Sequence, residues 1–173
     1  MEPKIPKALS MALVTLALGS GCTVHVSDDG VSIPVGTKAQ GYPQVQAENV
    51  TDTNQCRFGT TATQLLGRWQ VDRRSGNFNS HTIYDFRGGV LRVTNHCEYI
   101  GRRMSATVAV PISDNGTVFR TLRGLSHSDY DFDMDCTASI AATSARYWFT
   151  GSCLSAQDDA TGEIVTMVPA SDW

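Results

Sequence analysis

From Gln64 onward apolar and polar residues alternate nearly one for one, the period of strands with a single buried face. Leu65, Gly67, Trp69 and Val71 fall on one side of an extended segment, and Leu66, Arg68, Gln70 and Asp72 on the other. Gly67 has no Cβ, so the Trp69 indole can lie across its own strand. His81–Phe86 and Val90–Cys97 flank Arg87-Gly88-Gly89. Two glycines at the tip suit a tight hairpin, and that register sets Phe86 opposite Leu91 and Tyr84 opposite Val93. Met104, Ala106, Val108, Val110 and Ile112 alternate with Ser105, Thr107 and Ala109, with Pro111 marking an edge or a strand terminus.

After the turn signal Asp114-Asn115-Gly116, the pattern predicts a strand over 117–122 and a loop over Gly124–Ser128. Residues 129–136 predict one strand with Asp129, Asp131, Asp133 and Asp135 on one face and Tyr130, Phe132, Met134 and Cys136 on the other. Alternating Asp also suits calcium, but a calcium loop needs a tight turn, and large apolar residues between the acids favour the strand with a solvated acidic face. Like charges so aligned favour a basic neighbour or partner. Cys136–Thr143 and Arg146–Cys153 predict a hairpin about Ser144-Ala145, and Glu163–Val168 predicts the last strand. About eight sequential strands with short connections predict an all-β domain over 63–173. An up-and-down antiparallel barrel is the leading architecture, because closure removes sticky edges, and a β-sandwich is its competitor.

The chain before this domain reads differently. Lys4 and Lys7 precede an apolar run, Ala8–Leu18, of signal-core length and too short to span a bilayer as a mature helix. Gly19-Ser20-Gly21-Cys22 follows. This resembles the bacterial lipoprotein signal, which implies a signal peptide over 1–21 and a lipidated Cys22 as the new N-terminus. The resemblance, with Thr23 after the cysteine, implies a cell-envelope protein lipid-anchored at the outer membrane. Residues 22–62 read as a tether, rich in small and polar residues with few large apolar groups. About 40 residues of such chain span roughly 35 Å on average. Val24-His25-Val26 and Val31-Ser32-Ile33 about Asp28-Asp29-Gly30 could close a small hairpin within it.

Five cysteines less Cys22 leave Cys56, Cys97, Cys136 and Cys153, an even set that in an exported chain predicts two disulfides. Long spacings without a Cys-x-x-Cys pair disfavour zinc. In the register that Ser144-Ala145 sets, Cys136 falls opposite Cys153, which predicts Cys136–Cys153 and leaves Cys56–Cys97.

A net charge of −3 without a basic stripe makes nucleic-acid binding a poor fit. Histidines 25, 81, 96 and 127 show no metal-ligand spacing. Ser126-His127-Ser128-Asp129 has the residue types of a serine triad, but neighbours on a loop rarely converge in those roles and no Gly-x-Ser-x-Gly turn is present. Asp133 and Asp135 share a solvated face with nothing apolar to raise a carboxyl pKa. These absences predict no catalytic residue, metal or cofactor. Trp148, between Tyr147 and Phe149, should point outward, to cover the tether or meet a partner.

Gly67-Arg68-Trp69 opening a meander resembles the Gly-x-Trp start of lipocalins and lipocalin-like barrels. That resemblance implies a small hydrophobic ligand inside the barrel, for which Trp69, Tyr84, Phe86, Tyr147 and Phe149 are the candidate lining. Ser144-Ala145-Arg146-Tyr147 resembles a segment of anchored lysozyme inhibitors. With the acidic strand, it implies a basic protein partner such as a cell-wall hydrolase. The reading is thus a non-enzymatic binding protein, with those two ligand classes left open.

Overall fold

The computed structural model describes residues 48–57, 62–131 and 134–171. The leader, Cys22 and the expected hairpin about Asp28-Asp29-Gly30 lie outside them. Eleven strands follow in order: β1 (Glu48–Asn49), β2 (Gly67–Ser75), β3 (Phe78–Arg87), β4 (Val90–Tyr99), β5 (Arg102–Asp114), β6 (Val118–Thr121), β7 (Leu125–Asp131), β8 (Met134–Ile140), β9 (Ser144–Thr150), β10 (Cys153–Asp158) and β11 (Ile164–Pro169). Eight close an antiparallel ring in the order β2-β3-β4-β5-β6-β9-β10-β11 and back to β2. This is the predicted barrel, with β1 added to β2 outside the ring and β7–β8 inserted as a separate hairpin.

The local registers follow the chain's alternation. Phe86 lies opposite Leu91 and Tyr84 opposite Val93, with Gly88 and Gly89 both at positive φ in the turn between. Leu91 faces Val110 and Val93 faces Val108 on the next strand, so one apolar row crosses β3, β4 and β5. That row, with Trp69, Val71, Leu154, Val165 and Met167, makes the main core. Removing a side chain such as Phe86 or Leu154 fully from water contributes about 1.5–3 kcal/mol.

The ring is lopsided. β6 pairs with β5 only at Ile112–Asp114, and β11 reaches β2 only as far as Gln70. The opposite ends of β2–β5 therefore project beyond the closed part. The inserted hairpin covers the inner face of that projection. Met134, Cys136, Ala138 and Ile140 are all buried on one side of β8. Asn95, on the inner face of β4, donates from Nδ2 to the Thr137 carbonyl at 2.9 Å. Phe78, Cys97, Met134 and Cys136 form a second small core there.

Three expectations are corrected. The expected loop 124–128 and single acidic strand are instead the hairpin β7–β8, because the chain reverses between Asp131 and Met134. Cys136–Thr143 and Arg146–Cys153 do not pair. β9 pairs with β10 around Gly151-Ser152, whose glycine supplies the positive φ of that turn. The disulfides are accordingly Cys56–Cys153 and Cys97–Cys136, not Cys136–Cys153 and Cys56–Cys97. The expected pairing rested on β8 lying beside β9, and β8 lies beside β7 under β4 instead.

The third correction concerns the tether. Its last part is a strap on the outside of the barrel. β1 pairs with Arg73 and Arg74, Val50 N donates to Asp72 O at 2.9 Å, and a 3-10 turn over Thr53–Arg57 follows. Cys56 then bonds to Cys153, and the Ser152 amide and hydroxyl donate to the carbonyls of Cys56 and Gln55. Backbone pairing and a disulfide supply the binding that its polar composition lacks.

Candidate functional site: a groove beside the inserted hairpin

The barrel interior is the first place to look, and it is filled. Trp69, Phe86 and Tyr147 are buried, Tyr84 and Phe149 are partly buried, and all five pack into the main core. Phe86 and Phe119 are edge to face at 5.4 Å, Phe119 lies 6.3 Å from Tyr147, and Phe149 lies 5.9 Å from both Tyr147 and Trp69. The space left among Tyr84, Phe86, Phe119, Ile140 and Met167 is about 30 Å³, room for a water or two. The five predicted residues are therefore brought together as core. The Trp69 indole nitrogen donates to the Leu65 carbonyl at 3.0 Å. The Tyr147 hydroxyl donates to Asp114 at 2.9 Å, and burial followed by that carboxylate pushes its pKa up to about 12.

Outside the ring, a larger hollow of about 470 Å³ opens between the hairpin and β4–β5. His96, Arg103, Met104, Ser105, Asp129 and Tyr130 line it. Its volume lies in the range of small-molecule sites. Asp72, His81, His96 and Ser105 stand in a row, each directly opposite the next across β2, β3, β4 and β5, and the last two of them reach the hollow. Asp72 Oδ1 meets His81 Nδ1 at 2.5 Å and the Gln70 amide donates to Oδ2 at 3.0 Å. The next imidazole, His96, lies with its ring 6.2 Å from that of His81. Burial first, then the nearby His81 and Arg68, lower its pKa below the ordinary histidine value.

The hairpin builds the other wall. Directly opposed residues share a face, so the reversal after Asp131 puts Asp129 with Cys136, and Tyr130 with Asp135. Tyr130, expected beside Met134 and Cys136 on an apolar face, is instead 75% exposed. The acids are also divided. Arg102 donates to Asp131 at 2.8 Å, His127 Nε2 lies 3.5 Å from Asp129, and Arg103 donates to Glu98 at 3.2 Å. Arg102 of β5 is thus the basic neighbour of one acid of the run, Asp131, while Arg103 of the same strand pairs with Glu98 on β4.

The remaining candidates are spread apart. Ser126 and Ser128 alternate with His127 and Asp129 along β7, and Ser128 bonds Thr137 at 2.6 Å. In Ser144-Ala145-Arg146-Tyr147, Ser144 and Arg146 are held by Asp159 and Tyr147 points inward. Trp148 points outward as expected and is 40% exposed. Among the described residues, no three His, Cys, Asp or Glu side chains are placed to hold a metal ion. Also among them, no helix is long and apolar enough to cross a membrane.

Sequence reasoning missed the groove. Arg103, Ser105 and His96 sit on the polar side of ordinary alternating strands, with no local mark of a site. Their grouping with Asp129 and Tyr130 depends on where a distant hairpin folds back.

The fold defines a small eight-stranded barrel with one end covered by an inserted, disulfide-bonded hairpin. No protein-family model matches the chain, and neither a curated protein nor a solved structure matches it.

Proposed function

We propose that this is a lipid-anchored envelope protein, held at the outer membrane through Cys22, with a lipocalin-like barrel that binds through its outer surface and performs no chemistry. The filled interior carries this reading. A cavity of about 30 Å³ cannot take an apolar small molecule, whereas such ligands occupy sites of about 300–1,000 Å³. The groove at the hairpin has that size, and its exposed Tyr130 is the kind of rigid amphipathic side chain that anchors contacts.

Two measurements test it. Solvent extraction of the purified protein followed by mass spectrometry should yield no stoichiometric hydrophobic ligand; recovery of one would overturn the reading. The mass of the mature N-terminal peptide should correspond to an acylated Cys22.

A protein partner at the same groove is the second reading, favoured by Tyr130, Met104 and Arg103, residue types enriched at interfaces. A basic muramidase bound or inhibited at low salt would support it. Arg102 already holds Asp131, which lowers the electrostatic share that this carboxylate can give to such binding.

A further inference from the structure

The chemistry of the groove specifies more than its size. Its lining holds one cation, one carboxylate, one imidazole, one hydroxyl, one thioether and one phenol. Arg103 is already paired with Glu98, and Asp129 lies near His127. Burial, then the neighbouring His81 and Arg68, disfavour a charge on His96. An anionic ligand would meet the Asp129 and Glu98 carboxylates beside the Arg103 guanidinium, and a cationic one would meet that guanidinium. A purely apolar ligand would strip water from the Asp129 carboxylate and the Arg103 guanidinium without replacing their hydrogen bonds.

What fits is a ligand that is uncharged, donates and accepts hydrogen bonds at several closely spaced points, and offers one flat apolar face. Asp129 accepts, Arg103 donates, and Ser105 and His96 can do either. Tyr130 presents a largely bare ring beside them, and Met104 adds polarizable surface. A pyranose matches this set: its hydroxyls alternate as donors and acceptors around the rim, and its axial C–H groups form an apolar face that packs on an aromatic ring.

We propose that the groove between β5 and β7 binds a neutral saccharide, with a pyranose face on Tyr130 and its hydroxyls shared among Asp129, Arg103, Ser105 and His96. The proposal rests on the reading that the protein binds through this groove, and it deepens that reading by naming the ligand class. For a protein held in the envelope, wall glycan is the abundant source of such chains. Glycan binding would hold the domain against the wall while the anchor holds its other end at the membrane.

The test uses the mature full-length chain labelled with ¹⁵N. Its amide spectrum is followed while an uncharged β-1,4-linked N-acetylglucosamine oligosaccharide is added to millimolar concentration, and separately a basic muramidase. The expected result is saturable shifts with the oligosaccharide at the amides of Arg103, Ser105, Asp129 and Tyr130. Tyr130→Ala should weaken that binding by at least about tenfold, or about 1.4 kcal/mol, with the rest of the spectrum unchanged. Asp129→Asn should keep part of it, and Trp148→Ala, outside the groove, should leave it intact. If the muramidase moves the groove amides and the oligosaccharide does not, the saccharide assignment is overturned and the groove reading stands. If the oligosaccharide shifts map elsewhere, or neither probe moves these amides, both are overturned.

Discussion

The side-chain amide of Asn95 reaches the main-chain carbonyl of Thr137 at 2.9 Å, across the gap between the barrel wall and the inserted hairpin. Asn95 is fully buried, and its carbonyl oxygen accepts from the Thr82 hydroxyl at 3.1 Å. One polar side chain thus joins β3, β4 and β8 in a setting from which water is excluded. Beside it, Cys97 and Cys136 are joined with their Cα atoms 5.7 Å apart. The hairpin that forms one wall of the groove is held in place by this pair of contacts.

Replacing Asn95 by Leu keeps the branching of the side chain, enlarges it, and removes its hydrogen bonds to Thr82, Cys97 and Thr137. The Thr137 carbonyl and Thr82 hydroxyl would be left buried without that partner, at a cost of about 1–3 kcal/mol. Urea unfolding should show the loss in midpoint. Hydrogen exchange should quicken in β7 and β8 more than in β10 or β11.

The two disulfides close loops of different length, with sequence separations of 39 and 97. By chain entropy each contributes about 4–5 kcal/mol at most, the longer loop slightly more. Digestion without reduction should release Cys97 linked to Cys136 and Cys56 linked to Cys153, and no peptide joining Cys136 to Cys153. The Cys97→Ala/Cys136→Ala double variant should lose about 2–4 kcal/mol and loosen the hairpin. The Cys56→Ala/Cys153→Ala variant should instead expose the strap to protease.

Gly151 is under two constraints at once. Its φ of +59° is unfavourable for a side chain, and a Cβ there would collide with the Cys56 carbonyl. Gly151→Ala should cost about 2 kcal/mol or more, because neither backbone can move without breaking the bonds from the Ser152 amide to Cys56 and from the Ala62 amide to Gly151. Gly76→Ala, with open space around it but also a positive φ, should cost less. Thermal melts of the two variants side by side provide the comparison.

Acid should destabilise the protein in two steps. His96 has its pKa lowered by burial, then by His81 and Arg68. As pH falls through the unfolded value of about 6.5, the unfolded chain takes up the proton first, so stability is lost from there down to the folded value. Burial alone would raise the carboxyl pKa values of Asp72 and Asp158. Hydrogen bonds from His81 and Gln70 to the first, and from Thr143 and the Thr161 and Ala160 amides to the second, outweigh it and hold both low. Their contribution is present above the unfolded carboxylate value of about 3.9 and disappears as pH falls through the folded values. Melts from neutral to acid should therefore decline twice. His96→Gln should remove the first decline and leave the second.

Much of the barrel was legible without coordinates because its causes are local. Strand alternation has a period of two, and Gly88-Gly89 and Asp114-Asn115-Gly116 announce their turns within a few residues. Those features were enough to place Phe86 opposite Leu91 but not to pick out the ring, since β8 lies outside it and β10, which joins β9 to β11, was not among the expected strands. Phe132-Asp133 carries no Gly, Asn or Pro, and its Asp, though a turn former, reads equally as one more member of the alternating acidic face, so the local pattern did not separate two strands. Only tertiary packing decided that. Burial of Met134, Cys136 and Ala138 against the projecting ends of β4 and β5 draws the hairpin inward, and this long-range gain selects both disulfides. The same event turns Tyr130 outward beside Ser105 and His96. Alternation along the chain determined that there would be antiparallel strands with one buried face, and the pairing of β11 with β2 decided that they close into a ring. Which surface of it is equipped to bind was decided by contacts between residues dozens of positions apart, whose energy no short stretch of sequence expresses.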